Sequence, residues 1–191
     1  DLAARLVALA GGRVTASQVL DLAALAPVRR RFELDDEDLA TLAGWVEQAA
    51  LPAALEQAIR AAGKAPAPAE QIARLRAALG ASASGEYLPH LQGEWVEQAR
   101  AHHRAAVVDG YLTLSQMHCA AHECPLGAQA LVNAAQYDPL IGEDHHQRLM
   151  ACLSMTRDRF AAIEHYRRYR HFLANEVGDT PMHDTELLAE R

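Results

Sequence analysis

The runs EDHHQRLMACLSM (143–155) and FAAIEHYRRYRHFLANE (160–176), joined by the polar turn TRD (156–158), decide the fold. Each run places apolar residues three or four positions apart, the spacing of one helix face. The same pattern stands one step earlier. Leu114 and Leu149 occupy matching places in a first helix, 35 residues apart, and Leu131 and Tyr166 occupy matching places in a second. The helix Leu126–Gln136 stops at Tyr137-Asp138-Pro139, after which the pattern begins again. A first helix also precedes it, starting at Gly93 or Glu94 and carrying Trp95, Val96, Ala99, His103, Ala106, Val107, Tyr111 and Leu114, with Gly110 as a possible bend.

A period near 35 with two helices per unit is the signature of tetratricopeptide-like arrays, whose period is about 34. Two such units leave apolar faces open, so the helices before Pro89 or after Pro181 are expected to cap the stack. The predicted fold class is therefore all-α: stacked helical hairpins in a tetratricopeptide-like array with an N-terminal helical extension.

Composition agrees. Alanine, the strongest helix former, makes up roughly a fifth of the 191 residues, against about a twelfth in ordinary chains. Val and Ile are scattered, and no stretch alternates apolar with polar for a strand's length. Upstream, Leu2, Leu6, Val7 and Leu9 predict a helix that ends at Gly11-Gly12. Thr15 and Gln18 form a capping box for the next, with Val19, Leu22 and Leu25 as its stripe before Pro27. Asp35, Asp36, Glu37 and Asp38 crowd a third helix start, favoured by the helix dipole, and Leu39, Leu42, Trp45 and Val46 give its apolar face. Pro52 suits the first turn of a further helix that ends at Gly63. The run 64–68, extended by its prolines, then marks the clearest boundary, followed by a short helix through Ile72, Leu75 and Leu79, a Gly80–Gly85 connection, and at the far end a short helix near His183 or Asp184. The expected division is 1–63, an N-terminal helical segment; 64–84, linker and short helix; and 85–191, the repeat domain.

Charge and chemistry narrow the function. The formal charge is −7, spread evenly: residues 1–68 carry 7 basic against 9 acidic groups and the rest 11 against 16. That predicts no specific nucleic-acid binding by this chain alone. Cys119, Cys124 and Cys152 form no disulfide-rich pattern, which suggests a reducing compartment and a cytoplasmic protein. No apolar run predicts a membrane span or signal peptide. Because it opens at Asp1 rather than Met, the sequence is expected to be part of a longer chain.

Site candidates are few. His118, His122 and Cys124 have the spacing for a metal set but lack an obvious fourth ligand, and a structural or surface role is expected instead. His102-His103 and His145-His146 are read as surface pairs, since neighbours on a helix point about 100° apart. Arg29-Arg30-Arg31 and Arg167-Arg168 with Arg170 stand beside acidic residues and read as solvated or ion-paired faces. Tyr166 and Tyr169 read as packing positions, and Trp45 and Trp95 as core anchors. No nucleophile elbow, phosphate-cradling loop or paired carboxylate is present, so no catalytic residue, cofactor or metal is predicted and the chain is not expected to be an enzyme. The expected partner is a protein, or a second copy of the chain.

Two resemblances stand on quoted residues. Gly85-Glu86-Tyr87-Leu88-Pro89, Glu94-Trp95-Val96, Tyr137-Asp138-Pro139-Leu140, Phe160-Ala161-Ala162-Ile163, Tyr166-Arg167-Arg168-Tyr169-Arg170 and Leu173 to Gly178 resemble the bacterial transcriptional activator domain. That family is a tetratricopeptide-like array found in Streptomyces antibiotic regulatory proteins, and the resemblance implies a non-catalytic interaction module in transcription. The winged helix that precedes it in those proteins has no counterpart in 1–84. Residues 13–47 resemble another family. Arg13 to Leu22, Pro27 to Phe32, and Leu39 to Trp45-Val46-Glu47 are similar to the exonuclease V gamma chain, the RecC-type subunit of a recombination helicase–nuclease. That resemblance implies a non-catalytic helical part of a DNA recombination complex. Ala49, Ala50 and Leu51 stand where a Gly-Ile-Arg-Trp-Gly-like continuation is expected. A fused or engineered scaffold of natural-like helical segments is the remaining expectation.

Overall fold

In a computed structural model the described residues are 16–62, 64, 67–82, 87–89, 91–156 and 158–190. The predicted Leu2–Leu9 helix and the Thr15 cap lie outside them. Within them the chain is all-α, with no strand: α1 Ala16–Ala23, α2 Ala26–Phe32, α3 Asp36–Ala62, α4 Pro68–Ser82, α5 Glu94–Ala120, α6 Cys124–Tyr137, α7 Glu143–Met155, α8 Arg159–Phe172 and α9 His183–Glu190. A π-helical turn, Leu173–Val177, continues α8 and closes with Gly178 in the left-handed region at φ 78°.

Local chemistry sets the boundaries. The acidic cluster forms a reciprocal cap: the Asp38 amide donates to Asp35 Oδ1 at 2.8 Å, and the Asp35 amide donates to Asp38 Oδ2 at 3.0 Å. Asp158 caps α8 by accepting from the Ala161 amide at 2.9 Å. Asp138 ends α6 by accepting from the Leu140 amide in an Asx turn.

Two expectations need correction here. Pro27 does not merely end a helix; it opens α2, which carries the three arginines. Pro52 does not start a helix but lies buried inside α3. A mid-helix proline costs about 3 kcal/mol. Good helix formers flank it, and Leu55, one turn on, is completely buried in the core, so packing overrides the local preference.

Consecutive helices pack on one another from α3 to α8, and α3 also packs on α5 and α9 on α7. One core joins Leu55 of α3, Leu75 and Leu79 of α4, Ala106, Val107 and Leu114 of α5 and Ala130 of α6. Gly110 allows this approach, since a Cβ there would lie 2.8 Å from Leu79 Cδ2. The second core joins Ala128 and Leu131 of α6 to Leu149 and Cys152 of α7. At the far end Glu143 holds α9 in place: its Oε1 accepts from the Met182 amide at 2.6 Å and from the buried Thr185 hydroxyl.

Several residues 35 positions apart share their burial. Leu114 and Leu149 are both buried, as are Ser115 and Met150, Gly127 and Ala162, Ala130 and His165, and Ala134 and Tyr169. Tyr166 departs from the expected register. It is only half-buried, whereas its counterpart Leu131 is fully buried. Leu131 lies in the core that α6 shares with α7, a core in which Tyr166 has no part.

Candidate functional site

Two grooves and one thiol cluster gather the chemistry-bearing side chains. The first groove, of about 180 Å³, lies between Val19 and Leu20 of α1, Leu42, Trp45, Val46 and Ala49 of α3, and Leu88, Leu91 and Trp95 at the entry to α5. Leu88 is buried although its backbone sits in the left-handed region at φ 52°. Neighbouring hydrogen bonds over-determine that conformation. The Leu88 amide donates to Gln48 Oε1 at 2.9 Å, and the Arg100 guanidinium donates to the carbonyls of Tyr87, Leu88 and Leu91. Tyr87 stacks on His103 with ring centroids 4.2 Å apart. Trp95, expected as a core anchor, is 60% exposed, and Val19 is 49% exposed. Trp95 stands in the first turn of α5, beyond the reach of the core beneath Val96, and Trp45 is half-buried across the groove.

The second groove, of about 210 Å³, lies between α6 and α8, with His146, His165, Tyr169, Phe172, Val132 and Arg168 among its walls. His146 Nε2 donates to the Pro139 carbonyl at 2.8 Å, so its Nδ1 accepts from His165 Nε2 at 2.9 Å. Tyr169 stacks on His146 at 3.9 Å. Burial is the main cause that lowers the pKa of both histidines. For His165 it acts with the neighbouring His146 and Arg168 and takes the value down to about 4. Burial also pushes the Tyr169 hydroxyl up to about 12, helped by Glu143 and Asp179.

This overturns the reading of the histidine pairs as surface positions. His146 is 2% and His103 5% exposed, while His145 is half-buried and His102 exposed. One member of each pair points inward because neighbours on a helix diverge by about 100°, the same geometry that argues against shared chelation. The repeat itself carried the signal: His165 and Tyr169 stand 35 residues after the buried Ala130 and Ala134.

The remaining candidates are separated from one another. His118 is buried and its Nδ1 lies 2.6 Å from Glu123 Oε2. His122 is exposed in the turn at φ 60°, and Cys124 is half-buried. Among the described residues no group of three or more histidine, cysteine or acidic side chains is arranged to hold a metal ion. Arg29 pairs with Asp36 at 2.7 Å, Arg31 lies over the Phe32 ring, and Arg167 pairs with Glu164 at 2.7 Å. No described helix is long and apolar enough to cross a membrane.

Every residue of the first groove falls inside the region matched by a family model, that of the RecBCD enzyme subunit RecC fourth domain, which covers residues 1–99. The chain belongs to this RecC fourth-domain family. The RecBCD enzyme subunit RecC of Mycolicibacterium smegmatis is 56% identical over 48 residues, 25% of this chain. Its counterparts in two strains of Mycobacterium tuberculosis are 48% identical over 48 residues. The chain spans 4% of the length of these curated relatives. No solved structure matches it. The RecC-type resemblance, drawn from residues 13–47, thus extends over half the chain, while the transcriptional activator resemblance of 85–191 gains no support from these relatives.

Proposed function

We propose that the chain is a non-catalytic helical part of a RecC-type subunit, and that its apolar groove is where other parts of a RecC-type chain pack. The family match over residues 1–99, which contains the whole groove, carries this reading. An exposed tryptophan beside Val19, Leu42 and Val46 is the kind of aromatic anchor that interfaces bury. Arginines held by Asp36 and Glu164, in a chain of charge −7, fit a role in protein packing better than direct DNA contact. In this reading the site has no reacting group, and its partner is protein.

A segment exchange tests the proposal. The region of the Mycolicibacterium smegmatis RecC that corresponds to residues 1–99 is replaced by those residues of this chain, with and without Trp95→Ser. The expected result is a hybrid that assembles into its complex, and a tenfold or greater weakening of assembly with Trp95→Ser, roughly the loss of one interface anchor. A hybrid subunit that folds but does not assemble, with or without the substitution, overturns it.

The burial repeat favours a second reading for residues 85–191, a tetratricopeptide-like interaction array of the kind the activator resemblance implies. Residues 85–191 binding a transcription component, with the groove variant unchanged, would favour that reading over the first.

A further inference from the structure

All three cysteines of the chain, scattered at 119, 124 and 152 in sequence, converge where α5, α6 and α7 meet. Cys152 is buried in the core formed with Ala128, Leu131 and Leu149, and Cys119 packs against that same core from the last turn of α5. Gly127 makes the room: a Cβ there would lie 3.0 Å from Cys119 Sγ, so the bare backbone of α6 lets the sulfur turn inward. Both side chains thus adjoin one core, and Cys119 and Cys124 are near enough to act on Cys152 electrostatically. Cys119 remains partly open to solvent. None of these groups takes part in the groove or in the proposed packing role.

We propose that Cys119 and Cys152 are a modification site for low-molecular-weight disulfides, which convert the pair to a disulfide that staples α5 to α7. The chemistry is thiol–disulfide exchange. The Cys119 thiolate attacks one sulfur of the reagent RSSR, the reagent's S–S bond breaks, and one RS⁻ leaves to take up a proton as RSH. Cys152 then loses its proton and attacks the Cys119 sulfur of the mixed disulfide, and the second RS⁻ leaves. Two protein thiols are oxidised by two electrons, and RSSR is reduced to two RSH. Burial, then the neighbouring Cys119 and Cys124, push the Cys152 thiol up to about 11. The closing step is therefore slow at neutral pH, because the thiolate is the nucleophile.

Oxidised glutathione is the probe. The intact chain is treated with it, quenched, and mapped by mass spectrometry without reduction. The expected product is a Cys119–Cys152 linkage. The mixed disulfide on Cys119 should close roughly tenfold faster for each unit of pH between 7 and 9. Cross-linking so distant a pair should raise the Tm by on the order of 10 °C, reversed by reductant. Cys152→Ser should stop at the Cys119 mixed disulfide, and Cys124→Ser should leave the linkage intact. A Cys119–Cys124 linkage, stable adducts that never close, or a Cys119–Cys152 linkage formed only in denaturant would each overturn the proposal.

Discussion

His165 donates its Nε2 proton to Nδ1 of His146 at 2.9 Å, and His146 in turn donates to the Pro139 carbonyl at 2.8 Å. A chain of donors in this order requires the His146 ring to be neutral. It ties α8 to α7 and both to the turn that ends α6.

The pair makes stability depend on pH in a defined direction. Both folded-state pKa values lie below the unfolded value of about 6.5, so below that pH the unfolded chain binds protons that the folded chain refuses. The contribution is intact above about pH 6.5 and is lost as the pH falls toward 4, by on the order of 3 kcal/mol for His165. Glu143, Asp144, His145 and Arg168 also face the pair electrostatically, so the test compares variants rather than absolute curves. Urea unfolding between pH 7 and 4.5 should show a steeper loss in the native chain than in His165→Phe. Equal slopes would sink the assignment.

Packing depth in the repeat gives a ranking. Leu149 is completely buried, Tyr169 nearly so, and Tyr166 only half. Leu149→Ala should cost about 2 to 5 kcal/mol and Tyr169→Ala a similar amount, with Tyr166→Ala clearly the mildest. Denaturant titration of the three variants measures this directly; Tyr166→Ala as the worst of them would refute the register seen in the fold.

His118 should behave as a buried hydrogen-bonding group. Its removal opens a small void beside α6 and loses one hydrogen bond to Glu123, whose exposed carboxylate water then solvates, a loss of about 1 kcal/mol. Thermal melts of His118→Ala with and without a chelator distinguish this from metal ligation: a loss present only when metal is available would contradict the hydrogen-bonded role.

Much of the fold was legible in the residues. Leu114 and Leu149 announced the 35-residue period, Asp35 and Asp38 the start of α3, and Asp138-Pro139 the end of α6, because caps, turns and apolar spacing act within one or two helical turns. The grooves were not. Trp45 and Trp95 are 50 residues apart in sequence and meet across a groove only because Gln48 and Arg100 hold the Leu88 segment between their helices.

By itself, then, the sequence determined an all-α chain and the apolar spacing along its helices. The tertiary structure decided which flank of each helix met a neighbour. It let α3 run through Pro52, turned His103, His146 and His165 inward, left Tyr166 and Trp95 at the surface, and brought Cys119 beside Cys152. The physical reason is common to all of these. Local spacing specifies a face, but burial belongs to whichever element packs against it, and that element is distant in the chain.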